Sequence, residues 1–206
     1  MQIIGNMREM RLSIFTWRSR ADLVQKIGLS LVFAVLTGLM AQMRMPLPFT
    51  PVPITGQTFA VLLAGVLLGK RWGAISMVLY GALGIAGVPW FNAATSGMGA
   101  TTGYIIGFVL AAAFVGYVTD TFVKARNFYS LIVVMIFSTL FLVYIPGLFW
   151  LGTWLNAVSH SPASIGTVFS LGAAPFVAGD ILKALAAAGI GWLLLPKTPF
   201  SANRAG

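Results

Sequence analysis

Residues 128–151 read FYSLIVVMIFSTLFLVYIPGLFWL, a stretch without a single charged side chain. A helix needs about 20 residues to cross a hydrocarbon core of about 30 Å, so this stretch is long enough to span a membrane. Pro146 lies within it and removes one backbone N–H, which predicts a kink at that point. The stretch therefore predicts a kinked transmembrane helix over Phe128–Leu151.

The composition of the whole chain agrees with a membrane location. Hydrophobic residues make up 58% of the 206 residues and charged residues 8%, against roughly 25% charged residues in an average soluble domain. A soluble fold with so few charges could not cover its own surface. Cysteine is absent, which excludes disulfides and thiolate metal sites, and the single histidine, His160, leaves little room for another kind of metal site. We expect neither a metal nor a cofactor.

Five further hydrophobic stretches complete a predicted set of six transmembrane helices, which makes the fold class an all-α polytopic membrane protein. The predicted helices are Val24–Met43, Thr55–Gly69, Trp72–Ala86, Gly103–Thr119, Phe128–Leu151 and a last one from Pro175 to Leu195. Three connections are predicted from their composition: a stiff, extended one with prolines at positions 46, 48, 51 and 53, a tight turn at Lys70–Arg71, and a loop from Gly152 to Gly166. Thr55 is the predicted N-cap of the second helix.

The distribution of basic residues predicts the orientation. With the N-terminus inside, the only basic residue in the outer loops is Arg44, and Lys183 falls within a helix. The cytoplasmic segments then hold Arg8, Arg11, Arg18, Arg20, Lys26, Lys70, Arg71, Lys124, Arg126, Lys197 and Arg204. This positive-inside bias predicts that both termini are cytoplasmic. It also accounts for the net charge of +9 without a nucleic-acid-binding surface.

The chain divides into three predicted regions. Residues 24–195 form the membrane domain, and residues 196–206 form a cytoplasmic C-terminal tail. Residues 1–23 form either a basic, disordered tail or a helix in the membrane interface, because apolar residues alternate there with basic ones.

Two ionisable residues, Asp180 and Lys183, fall within the last predicted helix. Their i, i+3 spacing places them on one helix face, within pairing distance. Each charge near the bilayer centre costs about 2.5–3.5 kcal/mol on the insertion scale, so charges at this depth are usually functional. The pair indicates a polar ligand site that opens to the outside, and the alternative is a structural ion pair that holds the last helix to its neighbours.

The third loop and its flanks carry further candidates for this site. Trp90, Phe91 and Asn92 lie in the loop, and Tyr104 begins the next helix. Aromatic faces and an amide suit a small ring that bears N–H and C=O groups. The alternative is an aromatic belt at the membrane interface. Gln57 is either a hydrogen-bond donor in the pocket or an ordinary polar residue of a first helical turn.

The first predicted transmembrane helix has a face of small residues. Ala34 is paired with Gly38, and Thr37 with Ala41, at four-residue spacing. Such a face lets helices approach closely, so it either packs inside the protein or docks a partner subunit. No P-loop pattern occurs, which predicts that the chain is not an enzyme with its own nucleotide site and that any ATP-driven step depends on a partner.

Four stretches of the chain resemble the BioY family. The longest is PVPITGQTFAVLLAG at residues 51–65, followed by LGIAGVPWF at 83–91, TGYIIGF at 102–108, and Gly179-Asp180 with Lys183. BioY proteins are biotin-specific substrate-binding (S) components of energy-coupling-factor (ECF) transporters. The resemblance covers about residues 28–195 and implies six helices with the ligand near the outer face.

The resemblance also implies roles for individual residues. Asp180, Lys183 and Asn92 match the positions that contact biotin in the family, whereas Ala100–Tyr104 departs from the commoner family pattern. The implied partners are a transmembrane T subunit and two ATP-binding-cassette ATPases, in the cytoplasmic membrane of a prokaryote. Three functions therefore stay open at this point: an ATP-coupled capture subunit, a solitary biotin facilitator or ion-coupled carrier, and a membrane scaffold or sensor.

Overall fold

Helices dominate the computed structural model, which describes residues 2–159 and 162–198. The predictions for His160 and for most of the C-terminal tail lie outside the described residues, as do the side chains of residues 1–8, 92 and 159. The elements in chain order are α1 (Gln2–Arg20), α2 (Leu23–Gln42), β1 (Arg44–Met45), β2 (Ile54–Thr55), α3 (Gln57–Ile85), α4 (Thr102–Thr121), α5 (Phe128–Phe137), α6 (Tyr144–Ser159), α7 (Ile165–Gly172) and α8 (Val177–Leu194), with 3₁₀ turns at Asn92–Ala94 and Val123–Arg126 and a π-helical turn at Ser138–Val143.

Five helices within the described residues are long and apolar enough to cross a membrane. They are Leu23–Gln42, Gln57–Ile85, Thr102–Thr121, Phe128–Val158 and Val177–Leu194. The predicted class of an all-α, multi-pass protein is therefore confirmed. Helix α3 covers the second and third predicted helices together.

Helix α3 reverses direction at Gly69. This glycine has φ +79° and ψ 179°, a left-handed conformation that residues with a side chain rarely adopt. The side chains of Gln57 and Tyr80 are joined by a hydrogen bond of 2.7 Å, whereas a straight helix would hold them about 35 Å apart. The two arms of α3 are therefore antiparallel, and the reversal begins one residue before the predicted turn at Lys70–Arg71.

The helical segment that begins at Phe128 is longer than predicted. It continues through the π-helical turn and α6 to Ser159, so the predicted helix end at Leu151 and the loop from Gly152 are wrong. The π-helical turn ends three residues before Pro146, where the missing proline N–H interrupts regular α-helical bonding. The predicted irregularity at Pro146 thus takes the form of a π-helical turn.

Glycines of α4 bring this irregular segment close. A Cβ atom on Gly107 would lie 2.6 Å from the Cα atom of Val143, and one on Gly103 would meet the carbonyl of Pro146. Both glycines therefore face the π-helical turn and the start of α6. Their lack of a side chain sets the distance between these two helices.

The last predicted helix begins later than its proline. Residues 173–176 form a turn that includes Pro175, and α8 starts at Val177. The short helix α7, at Ile165–Gly172, precedes this turn and was not predicted. Thr50 in the proline-rich connection donates a hydrogen bond of 2.6 Å to the carbonyl of Leu171, so α7 and that connection are held together.

The proline-rich connection is a closed loop. Strands β1 and β2 flank it and pair antiparallel, with Arg44 opposite Thr55 and Met45 opposite Ile54. Thr55 therefore belongs to β2, and the N-cap of α3 is Gly56 without a side-chain capping bond, so the predicted cap is wrong.

The core has two parts at opposite ends of the bundle. One surrounds the first turns of α4 and α8, with Tyr104 and Phe176 among its members. The other lies towards the last turns of the same helices and contains Leu131 and Leu195. The N-terminal segment is the helix α1, and its Phe15, 1% exposed, packs into this second part.

Candidate ligand-binding site

A cavity of about 610 Å³, its open mouth included, lies at the first end of the bundle. Strand β2, both arms of α3, α4, the segment 143–144 and α8 contribute to its walls. Its apolar lining residues are Val52, Pro53, Ile54, Phe91, Ile105, Phe108, Val143 and Phe176. Its polar lining residues are Thr55, Gln57, Thr58, Tyr80, Thr101, Tyr104, Tyr144, Asp180 and Lys183. The mixed lining of apolar faces and convergent polar groups is that of a small-molecule site.

The two intramembrane charges form an ion pair in the wall of this cavity. Asp180 lies in the first turn of α8, and the ammonium of Lys183 contacts its Oδ1 atom from one turn further along. The side chain of Asp180 is 6% exposed and that of Lys183 is 20% exposed. Lys183 also donates a hydrogen bond of 2.7 Å to the carbonyl of Thr55 in β2. The pairing that the i, i+3 spacing predicts is confirmed.

Two hydroxyl groups from other helices also bind the Asp180 carboxylate. Tyr144 donates to Oδ2 at 2.5 Å, and Thr58 donates to Oδ1 at 3.4 Å. Sequence analysis missed both residues because each is far from Asp180 along the chain. One signal was available for Tyr144: a tyrosine in a charge-free helix needs a partner for its hydroxyl, and acceptors inside the membrane are few.

Gln57 joins a second polar chain in the cavity. Its Nε2 atom donates to the hydroxyl of Tyr80 at 2.7 Å, and its Oε1 atom accepts from the hydroxyl of Thr55 at 2.9 Å. Gln57 is 9% exposed and lines the cavity. The structure therefore places it among the pocket residues, and its amide is already held by neighbours.

Aromatic rings form the remaining walls. Phe91 meets the ring of Tyr80 edge to face at 5.3 Å between centroids, and Tyr104 meets that of Tyr144 at 6.4 Å. The hydroxyl of Tyr104 donates to the carbonyl of Gly172 at 2.7 Å, which connects α4 to the end of α7. The cavity thus combines one carboxylate, one ammonium, an amide and hydroxyls with flat apolar faces, and it can bind a small ring that carries N–H and C=O groups.

Comparison with known proteins identifies the family of the chain. The family model for the BioY family matches residues 9–199. The chain belongs to the BioY family. It is 38% identical over 142 residues to the "Probable biotin transporter BioY" of Methanothermobacter thermautotrophicus, which spans 67% of this chain and 90% of that protein. It is 30% identical over 182 residues to the "Biotin transporter BioY" of Rhizobium etli, covering 85% of this chain and 95% of that protein.

A solved structure shares the fold. It is the crystal structure of the S-component for biotin from an ECF-type ABC transporter, with a TM-score of 0.71. The match covers 83% of this chain and 90% of that chain at 23% identity. At this identity the likeness concerns the helical architecture of the BioY-family chain.

Of two further predicted contact residues of this BioY-family chain, the structure describes the side chain of Trp90 only. Trp90 packs behind Tyr80 at 5.5 Å between ring centroids, and its Nε1 atom donates to the Tyr80 carbonyl at 3.0 Å. It therefore supports the wall rather than forming it. Asn92 begins a 3₁₀ turn directly after the lining residue Phe91, and its side chain lies outside the described residues.

The small-residue face of α2 is buried inside the BioY-family chain. Ala34, Thr37 and Ala41 are 0% exposed, and a Cβ atom on Gly38 would lie 3.1 Å from Trp90. This face packs against α3 and the third loop. The prediction that these residues dock a partner subunit is therefore wrong for this conformation, and the internal alternative holds.

Proposed function

We propose that this chain captures biotin and mediates its uptake across the cytoplasmic membrane, as the S component of an ECF transporter. The observation that carries the proposal is the Asp180–Lys183 ion pair in the wall of a cavity lined by both polar and apolar residues, in a chain of the BioY family. The relatives from Methanothermobacter and Rhizobium bear the name of biotin transporters, and biotin has the groups that this cavity can bind.

The hydrogen-bonding capacity of Asp180 suggests how the ureido ring binds. A carboxylate has about four acceptor positions, two on each oxygen. Lys183 and Thr58 occupy those of Oδ1, and Tyr144 occupies one on Oδ2. The free position on Oδ2 can accept a ureido N–H. Asn92 is proposed to contribute a further contact to the ring.

Lys183 has two possible partners on the ligand. Its ammonium can donate to the ureido oxygen or pair with the carboxylate of the apolar chain. The aromatic residues Phe91 and Tyr104 line the cavity and offer faces for the thioether ring and the apolar chain. Trp90 holds Tyr80 in place behind them.

The proposed topology has six membrane crossings with both termini in the cytoplasm. The reversal at Gly69 supports it, because the two antiparallel arms of α3 add one crossing to the five apolar helices. The basic residues support the orientation: Lys70, Lys124 and Lys197 then share one side with the N-terminus. The cavity opens at the other end and is accessible from outside.

The proposed energy source is a partner module with a transmembrane T subunit and two ATP-binding-cassette ATPases. The solved S-component for biotin comes from an ECF-type ABC transporter, and this chain lacks a P-loop motif. Binding would therefore belong to this chain and ATP hydrolysis to its partners.

Uptake in a biotin-auxotrophic host that lacks its own biotin transporter tests the proposal. The chain is expressed alone, with the partner module, and with a module whose ATPases carry an inactivating Walker A substitution. We expect radiolabelled biotin to accumulate only with the active module. Equal accumulation by the chain alone would instead show a solitary carrier, and no accumulation under any condition would contradict a role in biotin uptake.

A further inference from the structure

Three cations meet at the end of the bundle opposite the cavity: Arg11 of α1, Arg126 after α4, and Lys197 after α8. We call these three residues the cationic cluster. The cavity lies by the first turns of α4 and α8, whereas the cluster lies beyond their last turns. The biotin site therefore does not explain it.

Arg126 is the fixed centre of the cationic cluster. It is 1% exposed, and carbonyl oxygens receive its N–H groups: Thr119 at 2.7 Å, Pro196 and Thr198 at 3.0 Å each, and Asp120 at 3.3 Å. These carbonyls satisfy the hydrogen bonds of the guanidinium and carry no net charge. Burial lowers the pKa of Arg126 from its ordinary value, the Arg18 charge lowers it further, and the Asp120 carboxylate raises it.

Lys197 brings a second charge to the same place. Its Nζ atom donates to the carbonyls of Arg126 at 2.8 Å and Trp192 at 3.0 Å. The ammonium also lies over the Trp192 ring, 5.2 Å from its centroid. Of its three N–H donors, one has no hydrogen-bond acceptor among the described residues. Desolvation, with the charges of Arg11 and Arg126, lowers the pKa of Lys197 to about 8.

Arg11 supplies the third charge from α1. Phe15 lies one turn further along the same face and belongs to the same part of the core as Leu195, two residues before Lys197. The charge of Arg11 also acts on Lys197, so Arg11 lies on the side of the bundle that carries the cluster. Its Nε atom is buried and has no hydrogen-bond partner in the part of the chain that the structure describes. A buried donor without an acceptor costs about 1–3 kcal/mol, so such a group calls for an acceptor beyond the described residues.

Three carboxylates of the chain form an ion pair or a cap with residues outside the cationic cluster, and one of them, Asp120, also acts on the charge of Arg126. Asp120 pairs with Arg18 at 2.6 Å, Asp180 pairs with Lys183 in the cavity, and Asp22 caps α2. Glu9 is exposed on α1, and no ion pair joins it to another side chain that the structure describes. The described side chains thus leave Arg11 and Lys197 without a carboxylate.

We propose that the cationic cluster binds the phosphate group of an anionic phospholipid. Arg11 and Lys197 donate hydrogen bonds to the phosphate oxygens, and Arg126 stabilises the negative charge from behind. The surroundings favour a lipid over free phosphate, because exposed apolar side chains adjoin the cluster. Trp192 is 42% exposed and Leu193 is 46% exposed, so acyl chains can lie along them. A phosphate bound at the cationic cluster would also connect α1 to the ends of α4 and α8.

The test compares thermal stability of the full-length protein in lipid nanodiscs. The discs contain phosphatidylcholine alone or phosphatidylcholine with phosphatidylglycerol. We expect phosphatidylglycerol to raise the melting temperature of the wild type by on the order of 3 °C, because a ligand that binds only the folded state stabilises it. Arg11→Gln and Lys197→Gln should each lose at least half of that rise. Lys124→Gln is the matched control, since it removes one exposed charge from the neighbouring 3₁₀ turn and should keep the full rise.

Arg11→Gln should also change the melting temperature in phosphatidylcholine alone differently from its effect in discs with phosphatidylglycerol. In phosphatidylcholine alone, whose choline group already balances the phosphate charge, it should be no less stable than the wild type, because it removes a buried donor that has no acceptor among the described residues. Native mass spectrometry of the detergent-purified protein gives an independent count of retained phosphatidylglycerol, which should fall for both cluster variants and not for Lys124→Gln.

Three results would overturn the proposal. The first is a wild-type melting temperature that is the same in both kinds of disc. The second is an equal loss for Lys124→Gln, which would show a diffuse surface charge rather than a site. The third is inorganic phosphate stabilising the protein in phosphatidylcholine discs as much as phosphatidylglycerol does, which would assign the cluster to a free anion.

Discussion

Replacing Asp180 with asparagine tests the proposed site most sharply. The substitution keeps the size of the side chain and removes its negative charge. Asparagine can still accept the hydrogen bond of Tyr144 through its Oδ1 atom, and Lys183 keeps its bond of 2.7 Å to the Thr55 carbonyl. The helical framework should therefore persist, although the ion pair is lost.

The expected loss of affinity follows from the contacts of Asp180. The proposed ureido N–H bonds the free acceptor position of a carboxylate, and such charge-assisted bonds contribute about 1.5–3 kcal/mol. Losing this bond therefore raises the dissociation constant for biotin roughly tenfold to 150-fold. The Asp180 side chain is 6% exposed, so water does not replace the lost bond readily.

Isothermal titration calorimetry or radiolabelled binding on purified protein measures this change. Asp22→Asn is the matched control: it makes the same carboxylate-to-amide change at the N-cap of α2, where both side chains cap well. We expect its affinity for biotin to equal that of the wild type. A melting curve of each variant, taken without biotin, separates a binding defect from a folding defect.

An Asp180→Asn protein that binds biotin as tightly as the wild type would show that the Asp180 carboxylate does not bind the ligand. If that protein also melted at a lower temperature, the ion pair would be purely structural. The alternative from sequence analysis, a neutralised pair that holds the last helix in place, would then be correct.

Three further predictions concern packing, topology and the far wall of the cavity. Gly107→Ala should destabilise the protein by about 1–3 kcal/mol, because the added methyl group meets the backbone of the π-helical turn. Gly189→Ala, where a Cβ atom has open space, is the control and should not destabilise it. Equal melting temperatures of the two variants would contradict this prediction. A cysteine at the exposed Ser96 should react with a membrane-impermeant thiol reagent on intact cells, whereas one at Lys124 should react only after the membrane is opened. Labelling of position 124 from outside would reject the six-crossing topology. Tyr104→Phe should lower stability by about 1 kcal/mol through the lost bond to a backbone carbonyl, and an unchanged urea midpoint would show that this bond contributes nothing.

The sequence predicts the parts of the fold that depend on local patterns. Hydrophobic stretches predict most helix positions, and the i, i+3 spacing predicts the contact between Asp180 and Lys183, which the structure confirms. The irregular turn before Pro146 also follows from a local cause, the missing N–H of proline. These features need no knowledge of which elements pack together.

The rest depends on contacts between distant segments. Tyr144 and Thr58 contact Asp180 across separations of 36 and 122 residues, and no local sequence pattern predicts such contacts. The small residues Ala34 and Gly38 are equally suited to an internal or an external partner, and the structure shows the internal one. Helix α7 is short, and most of it falls between the end of the predicted loop at Gly166 and the predicted start of the last helix at Pro175.

Equilibrium binding of radiolabelled biotin to the purified, full-length protein shows whether this chain binds biotin in the cavity. We expect saturable binding at one site per chain, displaced by desthiobiotin because that analogue keeps the ureido ring. Binding should weaken at least about tenfold in Asp180→Asn, as expected for one charge-assisted hydrogen bond. A folded wild-type protein without saturable biotin binding would rule out the proposed biotin site.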